Sequence, residues 1–161
     1  MKAVVQRVFD ASVSVGGEVK GRIDNGLLVY LGVSIDDDTG DADWLAGKII
    51  NLRIFDDSDG KMNVSIIDVI NQSDNTVNQQ KTGILAVSQF TLLGDVRKGR
   101  RPSWTNAAPP EKANELYRYF IARVEKYGIL CESGEFQAHM MVKYTNDGPV
   151  TIILDSRGVE L

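Results

Sequence analysis

The stretch GLLVYLGV, Gly26 to Val33, consists almost entirely of apolar residues. Such a run is typical of a strand that is covered on both faces, so it predicts a buried strand. The preceding stretch AVVQRVFDASVSVGGEVKG, residues 3 to 21, alternates apolar and polar residues on either side of Gly16 and Gly17. This alternation predicts a β-hairpin whose turn contains the two glycines.

Two helices are predicted after this stretch. The first covers Asp41 to Leu52, because acidic cap residues precede apolar residues that share one helical face. The second begins at Pro109 or Pro110 and stops at Gly128. Further strands are predicted at Ile84 to Val87, near Leu130, and in the last strand-like run, Val142 to Asp155. The polar run from Asn71 to Lys81 predicts an exposed loop.

Composition limits the possible functions. The chain has 161 residues, 43% of them hydrophobic, and a formal net charge of −4, so binding to nucleic acid would need a local basic patch. One cysteine, Cys131, and one histidine, His139, argue against a thiolate or multi-histidine metal site. No apolar run is long enough to span a membrane, and we expect a cytoplasmic protein without metal or cofactor.

Three segments remain unexplained by the scaffold. SQFT, Ser88 to Thr91, turns polar at the end of an aliphatic strand, where its hydroxyls could simply cap the backbone. RKGRRPSW, residues 97 to 104, is either a solvated loop or a phosphate-binding loop beside a base-stacking aromatic ring. NDGP, Asn146 to Pro149, has the chemistry of a plain hairpin turn between strand-like flanks.

The chain resembles the D-aminoacyl-tRNA deacylase family, also called the D-tyrosyl-tRNA deacylase family, along nearly its whole length. The resemblance rests on AVVQRV, ASVSVGGE, GLLVYLGV, KIINLRIF with DGKMN, VSQFTL, RKGRRPSW with AAPP, and NDGPVTI. The family's two signature elements, S-Q-F-T and N-x-G-P-[VT]-T, are both intact and in the family's order.

This resemblance implies an enzyme that hydrolyses the ester between a D-amino acid and the 3′-terminal adenosine of tRNA. It implies that the catalytic pocket is lined by Ser88, Gln89, Phe90 and Thr91. Labile esters need positioning and backbone oxyanion donors more than an activated nucleophile. Thr91 is one proposed nucleophile in the family, but no base for it is evident in the sequence, which favours assistance by the adenosine 2′-hydroxyl.

The resemblance also implies how L-amino acids are excluded. Gly148 and Pro149 would form a cis peptide that enters the active site of the partner subunit, supported by Asn146 and Asp147 and anchored by Thr151. The homodimer would then have active sites shared between subunits. Four basic residues are expected to contact the tRNA: Arg97, Lys98, Arg100 and Arg101. No DNA or membrane partner is expected.

The fold implied is a single α/β domain over residues 1–161, with a mostly antiparallel, barrel-like sheet and two main helices outside it. One departure from the family stands out, since the chain reads GEFQAHM where relatives commonly read G-x-F-G-A-x-M, and Gln137 replaces a glycine. Two other functions remain open. They are a non-catalytic tRNA-binding module and a hydrolase of small D-amino-acid esters.

Overall fold

The computed structural model of the chain describes residues 1–72, 80–97 and 99–158. Its helices are α1 (Thr39–Ile50), α2 (Ile66–Gln72) and α3 (Pro110–Glu125), with a short 3₁₀ helix at Phe90–Leu93. Its strands are β1 (Lys2–Val15), β2 (Glu18–Gly32), β3 (Phe55–Asp56), β4 (Met62–Val64), β5 (Thr82–Ser88), β6 (Leu130–Ser133) and β7 (Met141–Asp155).

Five of these strands form one mixed sheet in the order β6-β5-β2-β1-β7. β1 pairs antiparallel with β2, as the hairpin prediction requires, and it also pairs antiparallel with β7. β5 runs parallel to β2 and to β6. The parallel pairs arise because a helical connection returns the chain to the same end of the sheet before each new strand. β6 and β7 are edge strands in the described part of the chain, so the sheet is open and a barrel-like closure is not confirmed.

The predicted buried strand is the middle of the sheet. Leu27, Leu28 and Val29 are fully buried, because alternate residues of β2 point into two hydrophobic cores on opposite faces. The larger core lies under α1 and α3, and β1 reaches it through Ala3 and Val5. Farther along β1, the left-handed residue Asp10 lies where the pairing with β7 shifts, and residues such as Val13 enter the second core.

The helix predictions hold to within a few residues, and one helix was not predicted. The Asp38 side chain caps α1 by accepting from the N–H groups of Gly40 and Asp41, at 2.8 and 3.4 Å, so the helix begins two residues before the predicted start. α2 extends through Gln72 and therefore takes the first two residues of the predicted polar loop. Residues 73–79 of that loop lie outside the described residues.

The NDGP segment is not a hairpin turn. β7 pairs with β1 on both sides of it, with Val8 opposite Asn146 and Gln6 opposite Thr151. Four residues of β7 therefore face one residue of β1, Arg7, and form a bulge at residues 147–150. The Gly148–Pro149 peptide bond within it is cis, and both residues are exposed.

None of the helices in the described ranges has the length and apolar character needed to cross a membrane.

Candidate active site

A cavity of about 560 Å³ lies where the carboxyl ends of β2 and β5 meet the start of α3. Its wall is completed by the loop between β6 and β7. Most of the lining is apolar, which suits a site that binds an organic group and excludes water. Apart from Tyr117 of α3, the polar side chains in the wall come from two places, the end of β5 and the loop before β7: Ser88, Gln89, Gln137 and His139.

Three of the four SQFT residues line this cavity. β5 ends when the Gln89 N–H donates to the Leu31 carbonyl at 2.8 Å, after which the chain enters the 3₁₀ helix. Ser88, Gln89 and Phe90 face the cavity, whereas Thr91 lies beside it and is exposed. The Gln89 amide donates to the Thr91 hydroxyl oxygen, so the nearest side-chain partner of Thr91 is an amide, which cannot act as a base.

The opposite wall is stabilised by Tyr117 of α3. Its hydroxyl donates to the Ala86 carbonyl at 2.8 Å, and its ring centroid lies 6.0 Å from that of Phe136. Burial raises the pKa of Tyr117 above its ordinary value, so the hydroxyl remains protonated and its role here is structural.

Gln137, the departure from the family pattern noted in the sequence, lies at the cavity rim together with His139, which sequence reasoning did not place there. The Ala138 N–H donates to the Glu135 carbonyl at 3.2 Å, which closes a turn, and Gln137 has a φ of 64° in it. This left-handed backbone is one that glycine adopts more readily than glutamine, which fits the glycine that the family resemblance implies at this position. His139 lies in the loop before β7, is exposed and lines the cavity. The positive φ gives no signal in a single sequence.

The predicted basic loop begins and ends at a pair of hydrogen bonds. Asp95 and Ser103 exchange two backbone bonds of 2.9 Å, and the described residues 96–97 and 99–102 lie between them in the chain. Arg97 forms a forked ion pair with Asp95, with Nη2 at 2.6 Å, and hydrogen bonds from Arg97 lower the pKa of Asp95 to about 2. Arg100 and Arg101 are exposed and have no ion-pair partner within the described part of the chain, whereas Lys98 lies outside it.

Gly148 and Pro149 do not join this cavity. The bulge that contains them lies on β7, against Arg7 of β1, and neither residue is part of the cavity wall. Arg7 is nearly buried, its Nε lies 2.7 Å from Asp147 Oδ2, and its Nη1 donates to the Ile54 carbonyl at 2.7 Å. The bulge is therefore held by a buried cation that sequence reasoning did not select.

Asn146 secures the other side of the bulge. Its side-chain oxygen accepts from the Val150 N–H at 3.3 Å, and its amide donates to Thr151 Oγ1 at 3.2 Å. The predicted supporting roles of Asn146, Asp147 and Thr151 agree with these contacts. Across residues 1–72, 80–97 and 99–158, we find no cluster of three or more His, Cys, Asp or Glu side chains arranged to hold a metal ion.

Comparison with known proteins places this architecture in a family. The family model described as D-Tyr-tRNA(Tyr) deacylase matches residues 4–155. Proteins named D-aminoacyl-tRNA deacylase are 53% identical over 160 residues in Thermosipho melanesiensis, covering 99% of each chain, and 54% identical over 157 residues in Koribacter versatilis, covering 98% of each.

Solved structures share the fold. A protein named c-Myc DNA Unwinding Element Binding Protein is 42% identical, with a TM-score of 0.84 over 96% of this chain and 98% of its own. A probable eukaryotic D-amino acid tRNA deacylase is 17% identical, with a TM-score of 0.77 over 95% and 97% of the two chains, which is evidence for the fold alone. From the match over residues 4–155 and the identity above 50% along the whole chain, we conclude that this protein belongs to the D-Tyr-tRNA(Tyr) deacylase family.

Proposed function

We propose that the protein hydrolyses the ester of D-aminoacyl-tRNA, adding water to the carbonyl carbon and releasing the D-amino acid and tRNA. The observation that carries this proposal is the position of Ser88, Gln89 and Phe90 in the wall of a largely apolar cavity, in a chain of this family. The exposed Arg100 and Arg101 lie in a loop that starts two residues after the adjoining 3₁₀ helix, where they can contact the phosphates of a bound acceptor end.

The chemistry relies on positioning and on oxyanion stabilisation. The N–H groups of Phe90 and Thr91 begin the 3₁₀ helix and have no partner inside it, so they can donate to the oxygen of the tetrahedral intermediate. The Thr91 hydroxyl accepts from an amide and has no base beside it, which argues against a threonine nucleophile. The adenosine 2′-hydroxyl then assists attack by water, and the departing ribose oxygen takes up a proton.

Exclusion of L-amino acids is assigned to Gly148 and Pro149 of a second copy of the chain. Both residues are exposed on β7 and away from the cavity of their own chain, so they can reach a cavity only across a homodimer interface. Gly148 has a φ of 117°, and a Cβ there would come within 2.8 Å of Val150 Cγ2. The bulge therefore presents bare backbone, which blocks an L side chain and leaves a D side chain free.

The first test compares D-alanyl-, L-alanyl- and glycyl-tRNA on one tRNA. A site that excludes L side chains but does not bind the D side chain should hydrolyse the D-alanyl ester, should hydrolyse the glycyl ester measurably, and should hydrolyse little of the L-alanyl ester. Glycine rejected as strictly as L-alanine would contradict the exclusion mechanism. No hydrolysis of any of the three would favour a non-catalytic tRNA-binding module instead.

A small-ester hydrolase is separated by its salt dependence. Hydrolysis of D-aminoacyl-tRNA should fall as salt rises, because phosphate contacts release counterions, whereas hydrolysis of a free D-amino-acid ester should not. Duplex DNA serves as a competitor, because the name of one solved relative refers to a DNA element. We expect tRNA to compete better than DNA, and we place the protein in the cytoplasm with its substrate.

The shared active site is tested by mixing two inactive variants. Phe90→Ala damages the cavity. Gly148→Ala shifts the bulge, because its Cβ would lie 2.8 Å from Val150 Cγ2, and the shifted bulge obstructs the substrate in the partner's cavity. A mixed dimer therefore contains one intact site made from the undamaged part of each chain. After exchange of subunits, about a quarter of the wild-type activity should return, since about half of the dimers are mixed. If the site lies within a single chain, mixing restores nothing.

A further inference from the structure

Two exposed aromatic rings form a corner beside the cavity. The ring centroids of Phe90 and Trp104 lie 5.1 Å apart with an interplanar angle of 68°. Phe90 is 57% exposed and Trp104 is 39% exposed, although both are large apolar groups. We call this pair the aromatic corner. An edge-to-face pair with so much open surface leaves ring faces free to stack on a flat ligand.

The chain holds Trp104 firmly in this position. A Cβ at Gly94 would come within 2.7 Å of Trp104 Cζ3, so only a glycine lets the indole lie directly on the backbone there. The Trp104 carbonyl accepts from the Ala107 N–H at 3.0 Å, and its neighbour Ser103 is bonded to Asp95. The position of the indole is therefore set before any ligand binds.

The corner also joins two parts of the proposed tRNA site. Phe90 belongs to the cavity wall, whereas Trp104 is outside the wall and follows the base of the loop that carries Arg100 and Arg101. In a protein with a net charge of −4, this loop places exposed guanidinium groups within a few residues of an open indole. Exposed aromatic rings next to cations are how proteins hold single-stranded nucleic acid, by stacking its bases and pairing its phosphates.

We propose that the aromatic corner stacks the base of the nucleotide that precedes the terminal adenosine of tRNA. This inference rests on the proposed function, which places the aminoacylated adenosine in the cavity. A cavity of about 560 Å³ accommodates a group of that size. Because Phe90 belongs to the cavity wall and packs on Trp104 at the base of the basic loop, an acceptor strand that leaves the cavity toward this loop passes the corner. The stack tolerates any base and adds affinity for the tRNA part of the substrate.

Tryptophan fluorescence tests the contact directly, because the chain has two tryptophans. Trp44 lies on α1, is 42% exposed and has Lys48 Nζ 5.6 Å from its ring centroid, which makes it a matched control. In the Trp44→Phe variant, uncharged tRNA should change the Trp104 emission, and tRNA with an abasic site at the position before the terminal adenosine should change it much less. In the Trp104→Phe variant, neither tRNA should change the emission of Trp44.

Kinetics test what the contact does. Trp104→Ala should lower kcat/KM for D-aminoacyl-tRNA about tenfold, mainly through KM, because stacking on an aromatic ring is lost. It should leave kcat/KM for D-aminoacyl-adenosine, which lacks the preceding base, within about twofold. Trp104→Phe should retain most of the activity on tRNA, because phenylalanine also has a ring to stack on.

Three results would overturn the inference. The first is an equal loss of kcat/KM on D-aminoacyl-tRNA and on D-aminoacyl-adenosine in Trp104→Ala, which would mean that Trp104 only supports Phe90. The second is Trp104 emission that responds equally to intact and to abasic tRNA. The third is an unchanged KM for D-aminoacyl-tRNA in Trp104→Ala. Hydrolysis of D-aminoacyl-tRNA by the Trp44→Phe variant is measured in the same preparation. If it is present when the stacking tests fail, the proposed function stands and the stacking does not; if it is absent, the proposed function itself fails.

Discussion

Asp37 is a buried carboxylate whose loss we expect to destabilise the fold. Its Oδ1 lies 2.7 Å from the amino group of Met1, and both groups are fully buried. Its Oδ2 accepts from the Ser34 N–H at 2.5 Å. A buried ion pair contributes little net stability, but removing one partner leaves the other as an uncompensated charge.

Asp37→Asn should therefore lower the free energy of unfolding by about 3 kcal/mol or more. Urea unfolding of protein prepared without an amino-terminal tag measures this, and the slope of the transition should not change. Asp36→Asn, at the exposed neighbouring carboxylate, is the control and should stay within about 0.5 kcal/mol of the wild type. Equal effects of the two substitutions would contradict the role given to the buried pair.

The backbone of Gln137 has an unfavourable conformation that glycine would adopt without strain. With a φ of 64°, its backbone lies in the region that side chains disfavour. Gln137→Gly should raise the free energy of unfolding by about 1 kcal/mol and the melting temperature by about 2–4 °C. Gln137→Ala is the control, since it removes the amide but keeps a Cβ, and it should give little gain. Scanning calorimetry compares the three proteins, and a destabilised Gln137→Gly would show that the side chain contributes more than the backbone costs.

At the scale of elements, the bulge in β7 depends on the strand beside it. Arg7 of β1 contacts Asp147 and the Ile54 carbonyl, and its Nη2 lies 3.4 Å from where a Cβ on Gly148 would be. Arg7→Lys cannot make these contacts together, because an ammonium group has no planar fork. We expect hydrolysis of D-aminoacyl-tRNA to fall on the order of 10- to 100-fold through misplacement of the bulge, with the fold retained.

The measurement is kcat/KM for D-aminoacyl-tRNA, with circular dichroism to verify the fold. Arg22→Lys is the matched control, because Arg22 also pairs with aspartates but is 57% exposed. Wild-type hydrolysis by Arg7→Lys would show that the bulge keeps its place without the guanidinium.

The basic loop contains arginines with different roles. Arg100 and Arg101 are open to solvent, so replacing either with alanine should weaken binding of all tRNAs similarly and reduce the salt slope by about one unit or less. Arg97 is already paired with Asp95, and we expect Arg97→Ala to act mostly by loosening the loop. Binding titrations over a salt series measure both effects, with Arg22→Ala as a distant control. A charge-reversed loop that leaves binding unchanged at physiological salt would refute the assignment.

Elements determined by local patterns were predictable from the sequence. The apolar run of β2, the paired glycines of the hairpin and the proline at the start of α3 each carry their own signal, and the structure confirms these elements. α2 was missed because seven residues, IIDVINQ, are too few to separate a helix from a strand by periodicity. The parallel pairing of β5 was missed because it depends on which strands meet after a helix.

In the candidate site, too, residues set by the local sequence were predictable, and those set by pairing between distant strands were not. Ser88, Gln89 and Phe90 follow a buried strand directly, so the sequence and the resemblance together place them at a strand end beside the cavity. The NDGP segment has identical turn chemistry in a hairpin and in a bulge, and only pairing with β1, more than a hundred residues away, separates the two. Arg7 gave no signal, because one arginine in an alternating strand normally faces solvent.

On the scale of the whole molecule, the reactivity of the Cys131 thiol measures how often the larger core opens to solvent. It is the single cysteine and is buried in the larger core, and this burial raises the pKa of its thiol to about 12. At pH 8 the thiol of the native protein should therefore react with a disulfide reagent far more slowly than that of urea-unfolded protein. Fast reaction without denaturant would show that the core opens more readily than the packing indicates.

The same shift makes stability depend on pH. Above the ordinary value of 9.0, the unfolded chain loses the thiol proton while the folded chain keeps it. Stability from this group is therefore fully present below pH 9.0 and is lost as the pH rises toward 12. Cys131→Ser, whose hydroxyl does not titrate in this range, is the control for urea unfolding measured between pH 8 and 11.

The position of β1 between β2 and β7 has a consequence for biosynthesis. β1 precedes both of its partners in the chain, and its second partner, β7, follows every other described strand, so the other strands emerge from the ribosome before the sheet can be finished. Until then, one side of a 14-residue strand offers unsatisfied backbone groups to any other nascent chain. Pairing between strands so far apart in sequence is also slow to form. We therefore expect the growing chain to remain prone to aggregation until β7 emerges, and a chaperone that binds this open edge would protect it during that time.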